Sequence, residues 1–90
     1  MASTERELEK QLKALANRRR LAILKYLKNN KEVAVGEIAH KINLSFKSTS
    51  KHLALLAALD IVEREQRSLQ MFYSLTGNYS PAVRSIISLL

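Results

Sequence analysis

The sequence predicts a small, mainly α-helical domain with one β-hairpin, in which two of the helices form a helix-turn-helix. Three observations support this. Apolar residues recur at helical spacing from Leu8 to Leu59. After Asp60 the period changes to two and stays so as far as Leu75. Glycine and proline are scarce, at two and one, so little interrupts the helices and no linker divides the chain.

The elements follow in order. Leu8, Leu12, Leu15 and Ala16 form one stripe on a first helix from about Glu5 to Ala16. Thr4 and Glu7 have the spacing of a capping box, and Glu9 and Lys13 that of a helical ion pair. Asn17 caps a second helix, about Arg18 to Lys28, that buries Leu21, Leu24 and Leu27. Asn29-Asn30-Lys31 ends it, and Glu32-Val33-Ala34 reads as an extended segment able to add a short strand. A third helix, about Val35 to Ile42, carries Val35, Ile38, Ala39 and Ile42 on one face. Asn43 accepts the left-handed backbone that stops it, and Leu44 lies in the turn. Ser45 caps a fourth helix that reaches about Leu59. Ile61 to Gln66 is one strand, and Gln66-Arg67-Ser68 is the hairpin tip. In the second strand Leu69, Met71, Tyr73 and Leu75 alternate with Gln70, Phe72 and Ser74. Gly77-Asn78 breaks the chain, Ser80-Pro81 starts a last helix, and Val83, Ile86, Ile87 and Leu90 form its stripe.

Composition narrows the class of function. Ninety residues make a single domain over 1–90, and 47% hydrophobic content argues against disorder. No apolar run approaches the ~20 residues of a membrane span, and the polar N-terminus is no secretory signal. The lack of cysteine excludes a disulfide scaffold and thiolate metal sites, and fits a cytoplasmic protein. Fifteen Lys and Arg against eight Asp and Glu give a formal net charge of +7, which favours a polyanion. The basic residues are spread over several elements instead of lining one long amphipathic helix, so nucleic acid is favoured over a membrane surface.

The helix-turn-helix spans about 35–59. At ~100° per residue, Thr49, Leu53, Leu56 and Ala57 share the inward side of its second helix. Lys47, Ser50, Lys51, Ala54 and Ala58 share another side, cationic at the start and small toward the end. A helix entering a major groove needs such a surface: its first turns reach phosphates and base edges, and its later turns must clear the backbone. Lys47, Ser48, Ser50 and Lys51 are therefore the expected groove contacts. Phe46 falls on the inward side and is expected to pack, with contact to a thymine methyl as its other role. Arg64 and Arg67, near the hairpin tip, are expected to meet the DNA backbone. Arg18-Arg19-Arg20 opens a helix, where positive charge opposes the helix dipole. Arg18 or Arg19 could reach a phosphate, while Arg20 is equally suited to an internal carboxylate.

With its elements in this order, the chain resembles the ArsR/SmtB-type winged-helix transcriptional repressors over nearly its whole length. "LKALANRRRLAILKYL" (Leu12 to Leu27) resembles the opening helices of that family, and "EVAVGEIAHKINLSFKSTSKHLALL" (Glu32 to Leu56) its helix-turn-helix. "IVEREQRSLQMFYSL" (Ile61 to Leu75) is similar to its wing, here about 61–75. Ser50-Lys51-His52-Leu53 and Tyr73-Ser74-Leu75 are the more specific matches. The resemblance implies a homodimer joined through terminal helices, about 5–16 and 81–90 here. Leu8, Leu12 and Leu15, with Val83, Ile86, Ile87 and Leu90, supply the matching apolar stripes.

The chain also departs from that family. Many metal-sensing members carry cysteines where this chain has Ala34 and Gly36, and others use Asp and His on a last helix that here has neither. No metal site and no cofactor is expected, since thiolate, imidazole or carboxylate ligands are required. His40, one turn beyond Glu37, reads as a surface histidine, and His52 as packing or meeting a phosphate. Phe46 stands where the family often has glutamine, and Ser68 where the wing tip usually has glycine, which leaves the turn type open.

The expected function is a dimeric, sequence-specific DNA-binding regulator that represses by occluding a promoter. Its partners are double-stranded DNA and a second copy, with room for an unidentified small-molecule effector and no membrane role. The alternative is a winged-helix protein-interaction module. No catalytic residues are expected, because no Ser/His/Asp or Cys/His set, phosphate loop or carboxylate pair is present.

Overall fold

A computed structural model describes residues 4–90. Its order is α1 (Glu5–Leu15), α2 (Arg18–Asn29), β1 (Val33–Ala34), α3 (Val35–Lys41), α4 (Phe46–Ala58), β2 (Val62–Arg67), β3 (Gln70–Leu75) and α5 (Pro81–Ser88). The strands form an antiparallel sheet in the order β1-β3-β2, so the short extended segment does join the hairpin. The result is a mainly α domain with a small sheet, a winged helix-turn-helix.

The helix starts are set by the capping side chains. Thr4, Asn17, Ser45 and Ser80 each accept a hydrogen bond from the backbone N–H three residues on, at 3.0 to 3.3 Å. Each satisfies one of the orphan donors of a first helical turn. The stops of α3 and α4 are equally local. The Leu44 N–H donates to the Ala39 carbonyl and the Asn43 N–H to that of His40, with Asn43 at φ 56°. The Ile61 and Asp60 N–H groups repeat this on Leu56 and Ala57, with Asp60 at φ 58°. This pair of hydrogen bonds around a left-handed residue lets the chain turn sharply without orphaning carbonyls. The first stop aims the chain into α4, and the second aims it into the wing. The Thr76 hydroxyl then donates to the Asp60 carbonyl at 2.7 Å and closes the hairpin base.

One core underlies all the elements. Ile23, Leu24 and Leu27 of α2 meet Ile38 of α3, Leu53 and Leu56 of α4, Ile61, Val62 and Tyr73 of the hairpin, and Val83 and Ile87 of α5. At about 25 cal/mol per Å² of buried apolar area, these side chains dominate stability. Three expectations are corrected here. Ile23 is fully buried and Leu21 only half-buried, because α2 is also covered by α5 and turns its inward face toward both. The hairpin tip is Ser68-Leu69, between paired Arg67 and Gln70, so Leu69 belongs to the turn and is 97% exposed. Only Met71, Tyr73 and Leu75 of its expected alternating set pack inward.

α1 divides its apolar stripe. Ala14 and Leu15 are buried, while Leu8, Leu12 and the cap residue Ala16 face outward. The Ser80 hydroxyl donates to Gln11 Oε1 at 2.8 Å and ties the start of α5 to α1.

Candidate nucleic-acid interface

α4 has a sharp front and back. Thr49, Leu53 and Leu56 are fully buried against α2, α3 and β2. Thr49 Oγ1 has no hydrogen-bond partner among the described residues, so the hydroxyl sits in the core uncompensated. On the front, Lys47 and Lys51 are exposed and belong to none of the ion pairs among the described residues. Ser48 and Ser50 are half-buried beside them, and Ala54 and Ala58 continue the face as small exposed residues. The first turn holds no acid, so its free N–H groups and the two lysines add up to a positive end.

Phe46 is not packed inward as expected. It is 61% exposed and lies outside the core cluster. A helical wheel gives the angle of a residue but not its position along the axis. Phe46 is the first residue of α4, at the very end of the helix, which the wheel does not record.

Behind α4, Arg20 links three elements. Its Nε donates to the Ala14 carbonyl and its Nη2 to that of Lys13, at 2.5 and 3.3 Å, which satisfies the C-terminal end of α1. Its Nη1 lies 3.1 Å from His52 Nδ1 on α4. The carboxylate partner considered for Arg20 is replaced by carbonyls and an imidazole. Burial, then the charges of Arg20 and Arg19, hold His52 below the usual imidazole range. His52 therefore packs against Arg20, and His40 is exposed.

The wing carries the two arginines in different states. Arg64 is exposed and outside every ion pair of the described residues. A groove of about 620 Å³ runs between it and Ala54, Ala57 and Ala58 of α4. Arg67 is held by Glu32 at 2.7 Å and Glu65 at 3.0 Å, with its guanidinium 4.9 Å from the centre of the Phe72 ring. Its hydrogen bond pulls the Glu65 carboxyl below the usual range, and both acids push Arg67 further up. Ser68 takes φ 57° at the glycine-like position of the tip. Arg18, Arg19, Lys25 and Lys41 rim a second groove of about 560 Å³, between α2 and the end of α3.

The seven residues expected to join two copies also divide. Leu15, Val83 and Ile87 are buried in the core of the subunit itself. Periodicity identifies an apolar stripe but not which of its edges meets the chain's own core. Leu8 and Leu12 are exposed, Ile86 and Leu90 are half-buried, and Leu89, which the stripe omitted, is 80% exposed. Among the described residues no group of three His, Cys, Asp or Glu could hold a metal ion, and no helix is long and apolar enough to cross a membrane.

Known proteins share this arrangement. The profile of the bacterial regulatory protein, arsR family, matches residues 17–64. The transcriptional activator HlyU of Vibrio cholerae is 40% identical over 79 residues, 88% of this chain and 69% of HlyU. The structure of reduced HlyU from that organism superposes with a TM-score of 0.80 at 37% identity, over 96% of this chain and 86% of that one. A solution structure from Mycobacterium bovis, the homodimeric winged helix-turn-helix DNA-binding domain of Mb0332, gives a TM-score of 0.79 at 27% identity, over 99% and 85% of the two chains.

Proposed function

The chain belongs to the ArsR family of bacterial regulatory proteins, and on that premise we propose that two copies bind duplex DNA with the front of α4 and repress transcription by occlusion. The chain is a DNA-binding transcriptional regulator of the winged-helix type. The observation that carries the proposed mode of binding is the pair Lys47 and Lys51, exposed, in no ion pair among the described residues, and backed by fully buried Thr49, Leu53 and Leu56. A rigid cationic edge of this kind meets phosphates without first losing a partner. Ser48 and Ser50 lie beside it for base edges, and Arg64 flanks it from the wing. Arg67 is a weaker candidate, because its charge is already matched by Glu32 and Glu65.

Dimerisation is supported by the outward apolar residues. Leu8 and Leu12 of α1 and Leu89 after α5 are exposed, and Ile86 and Leu90 are half-buried. A second copy would cover them and present two α4 helices to a roughly palindromic site. Such a dimer across a duplex excludes other proteins from that stretch, which is why we assign repression. The relative HlyU carries the name of an activator, so a promoter–reporter assay with and without the protein decides the sign. We place the chain in the cytoplasm, where its DNA would be.

The test is selection of bound sites from random duplex DNA, repeated with Lys47→Ala/Lys51→Ala. Wild type should recover one two-fold-related motif, and the double variant should lose most of that selection. Equal recovery by both proteins would count against α4 as the reading element.

A further inference from the structure

Phe46 is a large exposed apolar side chain at the end of α4 that carries the proposed groove contacts. It opens α4, is 61% exposed and is not a member of the core cluster. It does nothing for the helix start, which Ser45 caps. An acidic residue would suit the first turn better. Its Cα–Cβ bond, like every one in a helix, tilts toward the N-terminus, so the ring leans ahead of the tip that enters the groove. Lys47, the next residue, is free to hold a phosphate beside it.

A phenyl ring has no donor or acceptor, so it cannot read the hydrogen-bonding edges of base pairs. The major groove offers one apolar feature, the 5-methyl group of thymine. We propose that Phe46 is a specificity-determining residue that packs on a thymine 5-methyl group in each half-site. This rests on the DNA-binding mode proposed above. Phe46 adds selectivity for the methyl, while the lysines supply sequence-independent attraction.

The experiment uses the best duplex recovered by selection and copies in which each thymine in turn, in both half-sites, is replaced by deoxyuridine, which lacks only the methyl. At one thymine per half-site, wild type should bind about fourfold more weakly for each methyl removed, the factor that corresponds to ~0.8 kcal/mol per buried methyl-sized group. Phe46→Ala should bind the parent duplex more weakly and be indifferent to the same replacement. Thermal unfolding should show that this variant folds like wild type, as the exposure of the ring implies. Wild-type binding that ignores every replacement, or an equal penalty in Phe46→Ala, overturns the assignment while leaving the regulator reading intact. Failure of wild type to select any sequence removes both.

Discussion

On α4, Lys47 and Lys51 extend into solvent with no carboxylate at ion-pair distance among the described residues, whereas on the wing Arg67 is clasped by Glu32 and Glu65 and stacked on Phe72. The two regions carry the same kind of charge toward the same proposed partner. They differ in what that charge must leave behind. A phosphate approaching Lys51 displaces water and counterions. A phosphate approaching Arg67 also meets two carboxylates, which repel it and already occupy the guanidinium. Available charge, and not the number of cations, is what makes a surface attractive to DNA. The wing's available charge is concentrated in Arg64.

The contrast can be broken most severely from behind. Leu53 is fully buried under the lysine face. Leu53→Ala should cost ~2–5 kcal/mol of stability, read from urea denaturation, and should take DNA binding with it. Lys47→Ala, at an exposed position, should stay within ~0.5 kcal/mol. A small loss at Leu53 would mean that the lysine face has no rigid support.

Within the wing, the two arginines should separate. Arg64→Ala should flatten the slope of log affinity against log salt by ~0.9, the value of one phosphate contact. Arg67→Ala should change it much less. Glu32→Gln, which loosens the clasp, should strengthen binding. Weaker binding by Glu32→Gln would show that the clasped geometry is itself the binding form.

The back of α4 offers a smaller test. Thr49 buries a hydroxyl with no partner among the described residues. Thr49→Val keeps the shape and removes the desolvated oxygen, so thermal stability should rise, by about 1 kcal/mol. A clear loss would show that the hydroxyl has a partner, such as a buried water.

The smallest effect is expected from pH. Burial and the charges of Arg20 and Arg19 lower the proton affinity of His52 in the folded state. Below the ordinary imidazole range the unfolded chain binds more protons, so stability should fall as pH falls from about 7.5 to about 5.5. His52→Gln should reduce that loss. An identical pH dependence in the variant would remove His52 from the explanation.

Much of this fold was legible in the sequence because its determinants are local. Four capping side chains sit where the helices begin, and Asn43 takes the left-handed turn its residue type favours. The inward burial of Thr49, Leu53 and Leu56 follows from helical period alone. What escaped is non-local. Arg67 finds Glu32 across 35 positions of sequence, which no spacing rule anticipates. Phe46 is exposed although its angle is inward, because it stands at the first position of α4, a fact about axial position that a wheel discards. Leu15 and Leu12 share a stripe, yet one faces the core and the other solvent, since only packing decides which edge is used.

The most direct measurement is the salt dependence of binding to the selected duplex for wild type, Lys47→Ala/Lys51→Ala and Arg67→Ala. If charge left free on α4 drives attraction, the double variant should flatten the log–log slope by ~1.8 per subunit, two phosphate contacts at ~0.9 each, and Arg67→Ala should run nearly parallel to wild type. A slope unchanged by the double variant, or flattened mainly by Arg67→Ala, would contradict it.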